Sequence, residues 1–280
     1  MNRVVPNYIF GTPTDFYASR ALLSLPWKIN SWLLESMIRI LSGPPEKYGL
    51  NPKYRAFQSQ PTVSPTLIHY IQRGYVNVKP NVKEFKGQTV VFEDGTQEEY
   101  DTVIMSTGYK ISLPYLNKEL LSSIFDEERN MIYLYKNVFA PEIGKTLAFI
   151  GFVQPFSGGI LCMAETQGRW FSQLMKGCVT LPSPSVMKSH IKKDNDKIQK
   201  RFTHSNRHTI QQDPITYTDE IASFIGVKPS IWRNPTLAYH LLFGSCGTYQ
   251  YRLNGPGKVS LQRIKKKRKI KMKRKEKKRK

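Results

Sequence analysis

The chain has 280 residues and a formal net charge of +22, which at first sight indicates a nucleic-acid-binding protein. The charge is concentrated at one end, because residues 263–280 hold 14 Lys and Arg against a single acid, Glu276. The other 262 residues carry 29 basic and 20 acidic side chains, a modest +9. With 40% hydrophobic residues, this body is typical of a globular protein and not of a basic one.

Cysteine content and hydropathy exclude several further classes. The three cysteines are too few and too scattered for a disulfide framework, and no Cys/His cluster has zinc spacing. We therefore expect a reducing compartment and no structural metal. The first residues lack the features of a signal peptide, and no stretch approaches the roughly 18 to 20 apolar residues that span a bilayer. We expect a chain that is soluble or only peripherally attached to a membrane.

The first third of the chain combines helices with a small β-meander. Apolar residues at helical spacing predict an amphipathic helix over Trp27–Leu41 that ends before Gly43. A short helix is predicted over Thr66–Arg73. Asp94-Gly95 is a strong signal for a tight hairpin turn, since glycine adopts the required positive φ readily. The strands predicted around it are Tyr75–Val78, Val82–Phe85 and Thr89–Glu93.

The stretch Tyr100–Tyr109 follows the hairpin and predicts a central strand. The run Val103–Met105 is β-prone, and Ser106-Thr107-Gly108 replaces bulky residues by small ones where the strand should end. We expect a strand over Tyr100–Thr107 that leaves the meander and enters a larger sheet. Its small end admits either the close approach of a flat ligand or merely a turn.

A second candidate for a ligand edge lies further along the chain. The apolar run Leu147–Gly151 reads as a strand, Gly158-Gly159 as a turn, and Ile160–Met175 as a helix. This order either forms the ligand-binding edge of an α/β sheet, with the helix N-terminus toward an oxygen-rich ligand, or is a simple connection. The helices predicted beyond it are Ser185–Phe202, Thr218–Ile225 and Thr236–Phe243.

Several motifs, taken in this order, resemble the flavin-containing monooxygenase family. Ser106-Thr107-Gly108-Tyr109 is similar to that family's central Ala-Thr-Gly-Tyr, with Ser106 in place of alanine. The other matching segments are Gly49–Lys53, Val91–Thr96, Asp101–Ile104, Pro114–Leu116, Leu147–Pro155, Glu165–Trp170, Arg207–Gln211 and Gly255–Lys258.

The resemblance implies an α/β fold: a partial two-dinucleotide-binding-domain flavoprotein with a small β-meander and a helical C-terminal part. In such an enzyme NADPH reduces FAD, and the reduced flavin uses dioxygen to oxygenate the nitrogen or sulfur of a small molecule such as N,N-dimethylaniline. The cofactor carries the redox chemistry, so no catalytic side chain is expected and we identify none. The implied domains are 1–107 from the NADP domain, 108–210 from the FAD domain, a helical extension at 211–262 and a disordered basic tail at 263–280.

The same resemblance implies four cofactor-binding residues: Gly108, Gly151, Gln154 and Pro155. Gly108 belongs to a linker between the two nucleotide domains, and the other three lie beside the flavin and nicotinamide. Gln154 either contacts the cofactor directly or only caps a turn, since an amide both donates and accepts. Arg169 either binds a phosphate or extends along its helix into solvent, and we favour the latter.

The Gly-x-Gly-x-x-Gly loops that bind pyrophosphate are absent from the 280 residues. We therefore expect the chain to be a fragment or truncated form that alone binds FAD weakly or not at all. The family resemblance implies the cytoplasmic side of the endoplasmic reticulum, whereas a chain complete as given would be soluble and cytoplasmic.

The basic tail, residues 263–280, allows two interpretations. Its restricted composition favours a low-complexity or misjoined coding end. Alternatively it is an arm that binds nucleic acid or anionic lipid by counterion release. The second interpretation supports a competing function, in which the chain is a non-catalytic interaction protein with a basic tail.

Overall fold

The structure, a computed structural model, describes residues 4–202 and 209–259. The basic tail lies outside the described residues. Within these ranges the helices hold most of the residues in regular elements, and most of the strands are only two residues long. The α-helices are α1 Arg20–Leu23, α2 Trp27–Ser42, α3 Leu67–Gln72, α4 Lys118–Ile124, α5 Leu161–Met175, α6 Pro184–Arg201, α7 Pro214–Phe224 and α8 Ala238–Leu242. The strands are β1 Val4–Val5, β2 Tyr8–Ile9, β3 Thr12–Pro13, β4 Thr62–Val63, β5 Val82–Lys86, β6 Thr89–Phe92, β7 Gln97–Glu99, β8 Phe125–Asp126, β9 Met131–Ile132, β10 Gln154–Pro155 and β11 Gln211–Gln212.

The predicted β-meander is confirmed as a three-stranded antiparallel sheet in the order β5-β6-β7. Gly95 turns the chain between β6 and β7 with φ of 83°, and its N–H donates to the Phe92 carbonyl at 3.0 Å. The Asp94 carboxylate accepts from the Thr96 N–H at 3.0 Å, and this side-chain hydrogen bond further stabilises the turn. The residues of the turn itself are therefore sufficient to predict this hairpin from the sequence.

Two short parallel pairs accompany the meander and confirm the mixed α/β class. β1 lies beside β4, and β10 lies beside β11 with Gln154 opposite Gln211. The last third of the described chain is helical, as predicted, and α5 packs against α7 there. Ring contacts of Trp170 organise this core: its centroid lies 4.9 Å from that of Phe139 and 5.0 Å from that of Phe224.

The strand predicted over Tyr100–Thr107 is not formed. Tyr100 still donates its N–H to the Gln88 carbonyl at 3.0 Å, but the chain beyond it is irregular. Ile104 and Tyr109 are 85% and 95% exposed, so the apolar run faces outward. A strand needs a partner for its backbone N–H and C=O groups, and among the described residues no strand lies beside this stretch. We call residues 101–109 the unpaired segment.

Two further predicted strands are absent, and two predicted helices differ slightly from the observed ones. Tyr75–Val78 and Leu147–Gly151 are irregular, so these two strand predictions were wrong. The Phe149 N–H still donates to the Val138 carbonyl at 2.9 Å, so this backbone group has a hydrogen-bond partner although it belongs to no sheet. Helix α2 ends at Ser42 because Gly43, with φ of 79°, leaves the helical region. The helix predicted over Thr236–Phe243 is split between a 3₁₀ turn and α8.

Candidate functional site

An apolar cavity of about 640 Å³ lies between α2 and the segment that follows β10. Helix α2 contributes Leu33, Leu34 and Met37 to its wall. The segment after β10 contributes Phe156, whose ring centroid lies 5.1 Å from that of Phe57 in a tilted arrangement. The volume and the apolar lining are typical of sites for small organic molecules.

Polar groups at this wall are few and specific. Gln60 lines the cavity, and its Oε1 accepts from Gln154 Nε2 at 3.0 Å. The backbone N–H of Gln154 donates to the Ile210 carbonyl at 2.9 Å, so the residue is held at both ends. Gln154 is therefore connected by a hydrogen bond to Gln60, a residue of the cavity lining.

The backbone at Gly151 is fixed by a buried chain of hydrogen bonds. Gly151 has φ of 82°, and its N–H donates to Gln167 Oε1 at 2.7 Å. Gln167 is fully buried in α5, and its Nε2 donates to the Tyr217 hydroxyl at 2.6 Å. That hydroxyl in turn donates to the Lys136 carbonyl at 2.5 Å. Each polar group in this series of hydrogen bonds thus has a partner, which holds the turn before α5 in one conformation.

The structure brings three of the four predicted cofactor residues together. Gly151, Gln154 and Pro155 lie in the five residues that precede Phe156 of the cavity wall, and Pro155 pairs with Gln212 in β11. Gly108 instead lies in the unpaired segment, with φ of 88°. The three clustered positions remain a prediction with respect to cofactor contact, as does Gly108.

Arg169 is held by two backbone carbonyls. Its Nη1 donates to the Tyr251 carbonyl at 2.9 Å, and its Nη2 donates to the Pro256 carbonyl at 2.7 Å. Arg169 therefore ties α5 to the Gly255–Lys258 segment rather than extending freely into solvent, and phosphate binding by this side chain stays an untested alternative. Two segments that first stood out as separate motifs are parts of one contact.

Metal-binding groups and membrane-spanning helices are not found in the described part of the chain. The cysteines are free thiols, and burial raises the pKa of Cys162 to about 12, which keeps it protonated and unreactive at neutral pH. Within residues 4–202 and 209–259, no group of His, Cys, Asp and Glu is arranged to hold a metal ion. No helix in those ranges has both the length and the apolar character needed to cross a membrane.

Lys136, whose carbonyl ends the series of hydrogen bonds that starts at Gly151, is itself only 5% exposed. Its ammonium group pairs with two carboxylates, Asp194 at 2.6 Å and Glu220 at 2.7 Å. Burial alone would lower the Lys136 pKa, but the hydrogen bonds and charges of these carboxylates raise it overall above 10.5. The pair is thus fully stabilising below pH 10.5 and loses its contribution as pH rises through the folded pKa. Replacing Lys136 by Met should lower the free energy of unfolding by about 2 kcal/mol at pH 8.

Urea unfolding of wild type and Lys136→Met from pH 8 to 11.5 tests this expectation, and the difference between them should shrink above pH 10.5. Lys188, which pairs with Glu142 on the surface at 3.0 Å, provides the control Lys188→Met, for which less than about 0.5 kcal/mol is expected. A pH-independent difference for Lys136→Met would contradict a charged Lys136 in the core.

The fold and site define an α/β protein in which an apolar cavity adjoins a strand–turn–helix edge with a buried amide pair. The chain belongs to the flavin-binding monooxygenase-like family, whose model matches residues 11–279. It is 41% identical to flavin-containing monooxygenase 5 of Homo sapiens over 261 residues, which cover 89% of this chain and 48% of the relative. It is also 41% identical to flavin-containing monooxygenase 3 of Homo sapiens, over 84% of this chain and 44% of the relative.

The chain therefore spans about half the length of the curated relatives it matches. Among solved structures it is similar to an S-allyl-L-cysteine S-oxygenase from Allium sativum. That match has 26% identity and a TM-score of 0.45, and covers 56% of this chain and 35% of the other.

Proposed function

We propose that this chain contributes to a flavin-dependent monooxygenase that uses FAD and NADPH to oxygenate the nitrogen or sulfur of small apolar molecules. The observation that carries the proposal is the 3.0 Å hydrogen bond between Gln154 and Gln60. It connects a position that the family resemblance assigns to the cofactor with a side chain of the apolar cavity. Family membership supports the class of reaction, and the cavity supports the class of substrate.

The residues at this edge are of the chemical types that a flavin ring requires. Bound flavin would supply the redox chemistry with dioxygen, as flavin cofactors do. Gln154 can meet the donors and acceptors along a polar ring edge with both ends of its amide, and Pro155 and Gly151 would border the ring. Phe156 and Leu34 present apolar surface that binds the body of a substrate and excludes water.

We propose the domain boundaries 1–107, 108–210 and 211–262 for the NADP part, the FAD part and the helical extension. Because no Gly-x-Gly-x-x-Gly loop occurs in the 280 residues, the pyrophosphate of each cofactor would have to be bound by other residues. We also propose, from the family resemblance alone, that the protein acts at the cytoplasmic face of the endoplasmic reticulum.

A chimera provides the experiment that tests this function. The segment of human flavin-containing monooxygenase 5 that matches this chain is replaced by residues 11–259, and the product is supplied with FAD, NADPH and N,N-dimethylaniline. We expect flavin absorbance and N-oxide detected by mass spectrometry. The 280-residue chain alone is expected to bind FAD weakly.

Gln154→Leu in the chimera should lower the rate of N-oxide formation about three- to tenfold, because one hydrogen bond of about 1 kcal/mol and the orientation it provides are lost. Gln199→Leu, an exposed position on α6, is the matched control and should leave the rate unchanged. A folded, flavin-loaded chimera that consumes NADPH without forming N-oxide would contradict the proposal.

A further inference from the structure

One polar side chain in the wall of the apolar cavity has a buried oxygen without a hydrogen-bond donor. Asn30 lies in the first turn of α2, lines the cavity and is 3% exposed. Its Nδ2 donates to the Leu25 carbonyl at 3.1 Å. Its Oδ1 is buried, and no donor in the described part of the chain reaches it.

The orientation of this amide is determined by the chain itself. If Asn30 were flipped, Oδ1 would face the Leu25 carbonyl, and two acceptors would repel each other. One N–H of the amide is therefore committed to the backbone, and Oδ1 is the polar atom of this side chain that has no partner. The terminal torsion of an asparagine is broad, so a small rotation can present Oδ1 to the cavity while Nδ2 keeps its bond to Leu25.

A buried acceptor without a donor destabilises the protein, and a ligand that supplies the donor recovers part of that free energy. The rest of the α2 wall, Leu33, Leu34 and Met37, can offer a ligand only apolar contact. Asn30 is thus placed to select among apolar molecules by one polar group.

We propose that Asn30 is a specificity-determining residue of the cavity, which takes small apolar molecules carrying one O–H or N–H donor. This inference rests on the proposed function and narrows its substrate class. A thioether sulfur and a tertiary amine nitrogen each carry a lone pair but no hydrogen, so in these two classes the donor that meets Asn30 belongs to a second group of the same molecule. The substrate class is then a thioether or tertiary amine with a separate hydroxyl or amide N–H.

Two matched thioethers test this selection on the 280-residue chain without any cofactor. 4-(Methylthio)phenol carries the donor, and 4-methoxythioanisole has the same framework with the hydroxyl methylated. Isothermal titration or ligand-observed NMR gives the dissociation constant of each. We expect the phenol to bind about tenfold more tightly to wild type, which corresponds to the 1.4 kcal/mol that one such hydrogen bond provides.

Asn30→Leu should reduce this ratio to about one, and Asn30→Ala gives a second variant should the leucine not fit. Leu34→Ala, which removes apolar wall only, should weaken both thioethers equally and keep the ratio. Circular dichroism checks that each variant is folded.

A wild-type ratio near one, an unchanged ratio in folded Asn30 variants, or no binding of either thioether would each overturn the inference. The two proposals fail separately, because these titrations need no flavin. A chimera that forms no N-oxide while the tenfold ratio persists would remove the monooxygenase function and leave the role of Asn30 in binding. An active chimera together with a ratio of one would support the monooxygenase function and remove the role of Asn30 in binding.

Discussion

Replacing Arg20 by Met should lower the free energy of unfolding by about 3 kcal/mol, because Asp219 would be left as an uncompensated, mostly buried charge. The Arg20 guanidinium contacts the Asp219 carboxylate, donates to the Tyr251 hydroxyl at 3.1 Å and donates to Gln250 Oε1 at 3.2 Å. Only 14% of the Arg20 side chain and 16% of the Asp219 side chain are exposed. Burial lowers the Arg20 pKa, but the Asp219 hydrogen bond and the electrostatic interactions with Tyr251, Cys246 and Asp219 together raise it overall.

Urea unfolding followed by circular dichroism measures this loss. Arg39→Met is the matched control, since Arg39 pairs with Glu46 at 2.6 Å with both side chains about half exposed, and it should change stability by less than about 0.5 kcal/mol. The double variant Arg20→Met with Asp219→Asn should regain part of the loss, because no buried carboxylate remains. Equal losses of stability for the Arg20 and Arg39 substitutions would show that the buried Arg20 network stabilises the fold no more than a surface ion pair does.

Trp170→Ala should lower the free energy of unfolding by about 3–5 kcal/mol, because it removes a large buried ring and leaves a cavity. Trp170 is 2% exposed and contacts the rings of Tyr135, Phe139 and Phe224. Thermal unfolding should show the loss as a large drop in midpoint.

Trp32→Ala provides the comparison within α2, where the indole is 60% exposed. It should shift stability by less than about 0.5 kcal/mol, as surface substitutions generally do. Similar losses for the two tryptophans would contradict a core centred on α5 and α7.

The helices could be predicted from the sequence because their signals are local. The 3.6-residue period and the flanking Gly and Pro place α2 and α5 within one or two residues of the observed ends. The hairpin at Gly95 was predicted for the same reason. The strand over Tyr100–Thr107 was not formed, because a strand depends on a partner that β-propensity does not supply.

The candidate site was predictable only in part. Family resemblance pointed to Gly151 and Gln154, but Gln60, 94 residues from its partner, gave no local signal beyond a turn before proline. Asn30 falls on a helix whose neighbours are apolar, and its lack of a partner is a property of the assembled cavity. Gln167 was part of a recognised motif, yet its contact with Gly151 could be found only in three dimensions.

The unpaired segment has a practical consequence for work with this chain in solution. Residues 101–109 present an exposed β-prone run, including Ile104 and Met105, whose backbone lies outside any sheet of the described residues. Such a run can take up a strand from another copy, and low local charge favours this pairing. Self-association that grows with protein concentration, seeded at Val103–Met105, is therefore the expected behaviour of the chain during purification.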